Sequence, residues 1–160
     1  MKFEIVELNE FSGAKASIYS IFIDDADFTL FDKFIQENHL LYPDELGSII
    51  DRLEIIGHFT GAREHYFKLN EGTLGDGVCA LYDSPDKKLR LYTIRYGSTC
   101  IVLGGGGNKN VRALQEDEKL RQENYLLRYI SKRITEAFKT GDLWWSTDQN
   151  RLEGTFIFED

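Results

Sequence analysis

Arg95, Lys109 and Arg112 are the residues whose types and placing suggest chemistry first. Arg95 closes an alternating stretch, Leu89 to Tyr96, and shares a face with Leu89, Leu91 and Thr93. A guanidinium buried there alone would be very costly, so it must be paired or stand at an open end of a sheet. If the chain turns back at Gly97-Ser98 and returns through Cys100–Leu103, Lys109 and Arg112 come to lie near it. Three cations so gathered would form a small site of the kind that binds phosphate.

Other chemistries find little support. Gly104–Gly107 follow a strand and lead towards a helix, but Lys109 is followed by Asn110 and no glycine directly precedes it, which breaks the P-loop pattern. A dinucleotide fingerprint needs glycine three residues beyond Gly106, where Lys109 stands. The run is therefore expected to permit a bend or bulge, or a close approach of another backbone. His39, His58 and His65 lack metal-ligand spacing, no G-x-S-x-G elbow exists, and Cys79 and Cys100 sit in apolar segments as small buried thiols. Neither metal nor cofactor is expected.

Charge is segregated. The chain carries −8 overall, yet residues 86–133 hold 11 basic against 5 acidic side chains, while residues 1–85 hold 6 against 16. A basic middle inside an acidic chain hints at an anionic partner. Within it Arg121, Tyr125, Arg128, Lys132 and Lys139 recur at helical spacing opposite Leu127 and Ile134, a stripe that faces outwards and could bind nucleic acid.

The elements that must position these residues read as one α+β domain over 1–160. At 160 residues with 42% apolar content the chain can bury a core without disulfides, and it has no apolar run of the ~20 residues needed to span a bilayer. With no signal-peptide pattern at Met1–Glu10, a cytoplasmic location is expected. A first hairpin turns at Ser12-Gly13. Asp24–Asp27 supply a cap for a helix beginning after Thr29, and a second helix runs from Pro43 to Ile56 and is closed by Gly57. Short strands at 66–69 and 78–82 flank the loop Glu71–Gly77. The central hairpin follows, then a long helix over about 116–139, and a closing hairpin from Leu143 to Phe158. The expected architecture is a central antiparallel sheet of about five to seven strands, including both terminal hairpins, with two N-terminal helices and one long helix near the C-terminus.

Over residues 57–139 this order resembles the RelE/HigB superfamily of bacterial toxins: strand (Tyr66–Leu69), loop, strand (Val78–Tyr82), strand with arginine (Leu91–Tyr96), strand (Ile101–Leu103), lysine, helix. The resemblance implies helices packed on one side of a compact sheet. It also implies cleavage of ribosome-bound messenger RNA and a cognate helix-turn-helix antitoxin. By that carry-over Arg95 contacts the scissile phosphate with Lys109 and Arg112 alongside, and His65 or Tyr96 have the chemistry to move a proton. The departures are an acidic chain, added terminal hairpins including Trp144-Trp145, and Gly107-Asn108-Lys109 where the family shows paired lysines. They favour an alternative, a non-catalytic interaction domain binding a protein partner.

Overall fold

The computed structural model describes residues 1–84, 87–109 and 114–159, with the side chains of 114–117 left undescribed. Strands β1 (Phe3–Glu7) and β2 (Ser17–Ile23) form the N-terminal hairpin, with Phe3 opposite Ile23 and Glu7 opposite Tyr19. Helix α1 (Leu30–Asn38) is capped by Thr29, whose hydroxyl accepts from the Asp32 amide while the Asp32 carboxylate accepts from the Thr29 amide. This reciprocal cap replaces the one expected from Asp24–Asp27. Helix α2 (Pro43–Ile55) starts at proline as anticipated. Gly57 does not end it: the chain continues through a π-helical turn at Ile56–Thr60 and stops at Gly61, with φ of 76°.

Strands β3 (Phe67–Lys68), β4 (Val78–Leu81), β5 (Leu89–Tyr96) and β6 (Cys100–Asn108) follow, then helix α3 (Leu114–Thr140). The main sheet has seven strands in the order β3-β4-β5-β6-β2-β1-β9, the last being Ile157–Phe158, so the β5–β6 hairpin is near its centre. Adjacent strands run antiparallel except β2 and β6, which pair in parallel from Ser17↔Cys100 to Ser20↔Leu103. The closing hairpin divides. Strands β7 (Leu143–Trp145) and β8 (Leu152–Gly154) make a separate ribbon, while β9 (Ile157–Phe158) joins the main sheet beside β1, its Phe158 stacked on Phe3 at 4.5 Å.

Period-two alternation sends side chains to two different cores. Leu89, Leu91, Ile101 and Leu103 meet Phe31, Phe34, Ile49 and Leu53 of α1 and α2 on one face. Ile94, Cys100 and Val102 meet Leu127, Ile130 and Ile134 of α3 on the other. Helices thus cover both faces, unlike the one-sided packing implied by the RelE/HigB resemblance. Phe34 is fully buried, and burying such a side chain stabilises by roughly 2–3 kcal/mol.

The glycine run is a bulge at this junction. Leu91 faces Gly106 but Thr93 faces Leu103, so Gly104 and Gly105 both stand opposite Tyr92. None of the four adopts a positive φ. Proximity constrains Gly106 most: a Cβ there would meet the Arg90 carbonyl oxygen at 1.9 Å, whereas one on Gly105 would meet the movable Glu123 carboxylate at 2.3 Å and one on Gly107 only Leu120 at 3.4 Å.

Candidate functional site

The β5–β6 register separates Arg95 from Lys109, two of the cations expected to gather. Arg95 pairs with Ile101 near the turn, whereas the Lys109 amide donates to the Lys88 carbonyl at the opposite end (2.8 Å). Seven residue steps along the strand separate Lys88 from Arg95, roughly 23 Å at the usual rise. The expected Arg95–Lys109 phosphate site is therefore not assembled, and Arg112 lies outside the described residues. In an antiparallel hairpin, residues following the second strand return to the start of the first. Lys109 accordingly comes to the Arg90 end of β5.

A cleft of about 450 Å³ opens there, lined by Lys68, Glu71, Tyr82, Arg90, Tyr92, Lys109 and Leu120. Arg90 is 6% exposed and its Nη1 donates to the carbonyls of Lys87 and Leu89, both at 2.8 Å. Its guanidinium stacks over the Tyr82 ring at 4.9 Å. Burial pushes the Arg90 pKa down, opposed by Tyr82 and by the carboxylates of Glu45 and Glu71, and a guanidinium stays charged through such a shift. The Glu45 carboxylate also accepts from the Lys88 and Leu89 amides, pinning the start of β5 to α2.

Lys68 sits 3.5 Å from Glu71, the one carboxylate among the described lining residues. The lining thus carries three cations and one anion in a chain of net charge −8. Tyr92 forms the remaining aromatic wall; burial first and Glu71 second raise its pKa, so the phenol stays protonated and can donate. Helix α3 fixes the loop that carries Glu71. Asn124 Nδ2 and Arg128 Nη2 both donate to the Glu71 carbonyl (2.9 and 3.2 Å), and the Ser131 hydroxyl donates to the Asp76 carbonyl (2.6 Å).

The two proposed proton carriers do not line this cleft. Tyr96 is packed in the α3-side core against Phe138 and Trp145, and burial raises its pKa beyond any use in proton transfer near neutrality. The exposed His65 ring rests on Tyr66 at 4.5 Å. The helical stripe is partly retained. Tyr125, Lys132 and Lys139 are exposed, Arg121 pairs with Glu118 at 2.7 Å, and Arg128 stacks on Tyr125 at 5.1 Å while tying down the loop. Arg128, Lys132 and Lys139 line a second groove of about 450 Å³ against Thr73–Asp76.

Arg90, Lys68, Tyr82, Tyr92 and Glu71 were missed by sequence reasoning. Counting back from the Gly97-Ser98 turn would have found Arg90, since it places Lys109 opposite the residues just before β5. Cys79 and Cys100 are free and buried, as anticipated, with burial pushing both thiols up to about 12. Among the described residues no group of side chains is placed to hold a metal ion, and no helix is long and apolar enough to cross a membrane. No family model, curated protein or solved structure matches the chain.

Proposed function

We propose that the protein binds single-stranded RNA as a RelE/HigB-like toxin-type protein, with Arg90, Lys109 and Lys68 holding a backbone phosphate. The observation that carries this reading is the excess of cations in the Arg90 cleft, set beside two tyrosines. A guanidinium and two ammonium groups suit the spread charge of a phosphodiester, and tyrosine faces suit unstacked bases. If the strand is cleaved, its 2′-oxygen attacks phosphorus and the 5′-oxygen leaves. Arg90 and Lys109 then neutralise the extra charge, and Glu71 is the described lining group able to accept the 2′-hydroxyl proton. Ribosome-bound messenger RNA is the substrate this reading implies, and the separate groove beside Lys132 and Lys139 offers further phosphate contacts.

A second reading, a non-catalytic domain that binds a protein partner, rests on the exposed Leu74 (98% accessible) and the half-exposed Trp144. Expression in a bacterial host separates the two. The RNA reading predicts growth arrest with cleaved transcripts, both lost in Arg90→Lys and Lys109→Ala. Unaffected growth with intact transcripts in the wild type, together with a stoichiometric co-purifying protein, would establish the second reading.

A further inference from the structure

Arg95, freed from the role expected of it, lines a different cavity. Its side chain is 17% exposed and belongs to the sheet face opposite α3. Nε donates to the Ala62 carbonyl at 2.9 Å, and the guanidinium lies 6.0 Å from the Phe67 ring centre. Nη1 reaches only the Glu64 carboxylate, at 4.0 Å, and that side chain is 72% exposed. Nη2 has no hydrogen-bond partner among the described residues. The cation is thus held by one carbonyl and a screened, distant carboxylate, and its unpartnered edge is not sealed from solvent, so a ligand can reach it.

The cavity holds about 140 Å³ and is lined by Leu69, Asn70, Thr73, Asp76, Cys79 and Arg95, among others. Asp76 is committed to its own loop: its two carboxylate oxygens accept from the amides of Thr73 (2.7 Å) and Val78 (2.9 Å). The loop is further fixed by the Arg95 amide donating to the Gly77 carbonyl at 2.9 Å. The cavity is therefore preorganised, with one guanidinium edge left to act.

We propose that this cavity binds a small carboxylate through Arg95, at a site separate from the Arg90 cleft. A planar monoanion matches the fork of a guanidinium and fits the volume. The fixed negative charge of Asp76 in the same cavity disfavours a dianionic phosphate. The carboxylate can come from a small free acid or from the C-terminus of a peptide.

The test is a titration of the purified full chain, following the Arg95 Nε–Hε resonance, which is assigned in the wild-type protein and so needs no variant to fold. Sodium acetate should shift it saturably, with a dissociation constant of about 1–10 mM as befits a four-atom ligand. Inorganic phosphate should shift it at least about tenfold less tightly, and in Arg95→Lys, followed through the backbone amide of Cys79 in the same cavity, acetate should bind about tenfold more weakly. A short peptide with a free C-terminal carboxylate that binds tighter than acetate, while its amide does not bind, supports a chain terminus as the source. Equal binding of acetate and peptide supports a free acid. No saturable shift with acetate, or phosphate binding as tightly as acetate, overturns the proposal and leaves the Arg90 reading untouched.

Discussion

The two ends of the β5–β6 hairpin each present an arginine, and they differ in what surrounds it. At the open end Arg90 lies under α3, beside Lys109, Lys68 and two tyrosines, in a cleft of about 450 Å³. At the turn end Arg95 lies on the other face, beside a single fixed aspartate, in a cavity of about 140 Å³. Strand alternation assigns the face of each residue, but the hairpin register decides which cations become neighbours. The backbone differs as well. The open end is built on a glycine bulge where the Arg90 backbone leaves no room for a side chain at Gly106, whereas Gly97 at the turn has open space around it but a φ of 59°.

The largest expected effect follows from that contrast. Gly106→Ala should destabilise the fold by about 3 kcal/mol or more, because its Cβ would collide with the backbone of Arg90 rather than with a side chain that could move. Gly97→Ala should cost only about 1 kcal/mol, the strain of a left-handed backbone. Urea denaturation midpoints of the two variants measure the difference, and a reversed order would break the comparison.

A smaller effect belongs to the turn end, where Cys100 pairs with Tyr96 and Cys79 pairs with Thr93. Burial raises both thiol pKa values to about 12 from an ordinary value of 9.0. The native state therefore holds their protons where the unfolded chain releases them. The resulting stability is complete below pH 9 and is lost as the pH climbs from 9 towards 12. Each thiol should cost about 1 kcal/mol of stability at pH 10, and Cys100→Ala should show a correspondingly shallower alkaline decline. Identical slopes for variant and wild type would contradict this.

The smallest effect concerns the basic stripe along α3. If Arg121, Arg128 and Lys132 each neutralise one phosphate, the triple alanine variant should flatten the log–log salt dependence of single-stranded RNA binding by about 0.7 per residue. Fluorescence anisotropy at several salt concentrations reads this directly. An unchanged slope confines RNA contact to the cleft.

Much of the fold was legible because apolar period carries it. Leu30, Phe31 and Phe34 marked α1, Leu46, Ile49 and Leu53 marked α2, and the runs at 89–96 and 100–103 marked the central hairpin. What stayed hidden depends on long-range pairing. Nothing local in Ser17–Ser20 shows that β2 lies parallel to β6, a contact supported by the buried Ser20 hydroxyl donating to the Leu103 carbonyl. Nor does the tail reveal that β9 leaves the hairpin for the main sheet. The site was half legible. Lys109 and a strand arginine do line one cleft, but the arginine is Arg90, which the sequence analysis did not single out. Only the fold shows it buried with its guanidinium over the Tyr82 ring.

The central claim is that Arg90, not Arg95, holds the phosphate. Binding of a labelled single-stranded oligoribonucleotide by wild type, Arg90→Lys and Arg95→Lys at one fixed salt concentration tests it most directly. The account predicts a loss of about tenfold or more for Arg90→Lys and no change for Arg95→Lys. Equal losses, or a loss confined to Arg95→Lys, would contradict it.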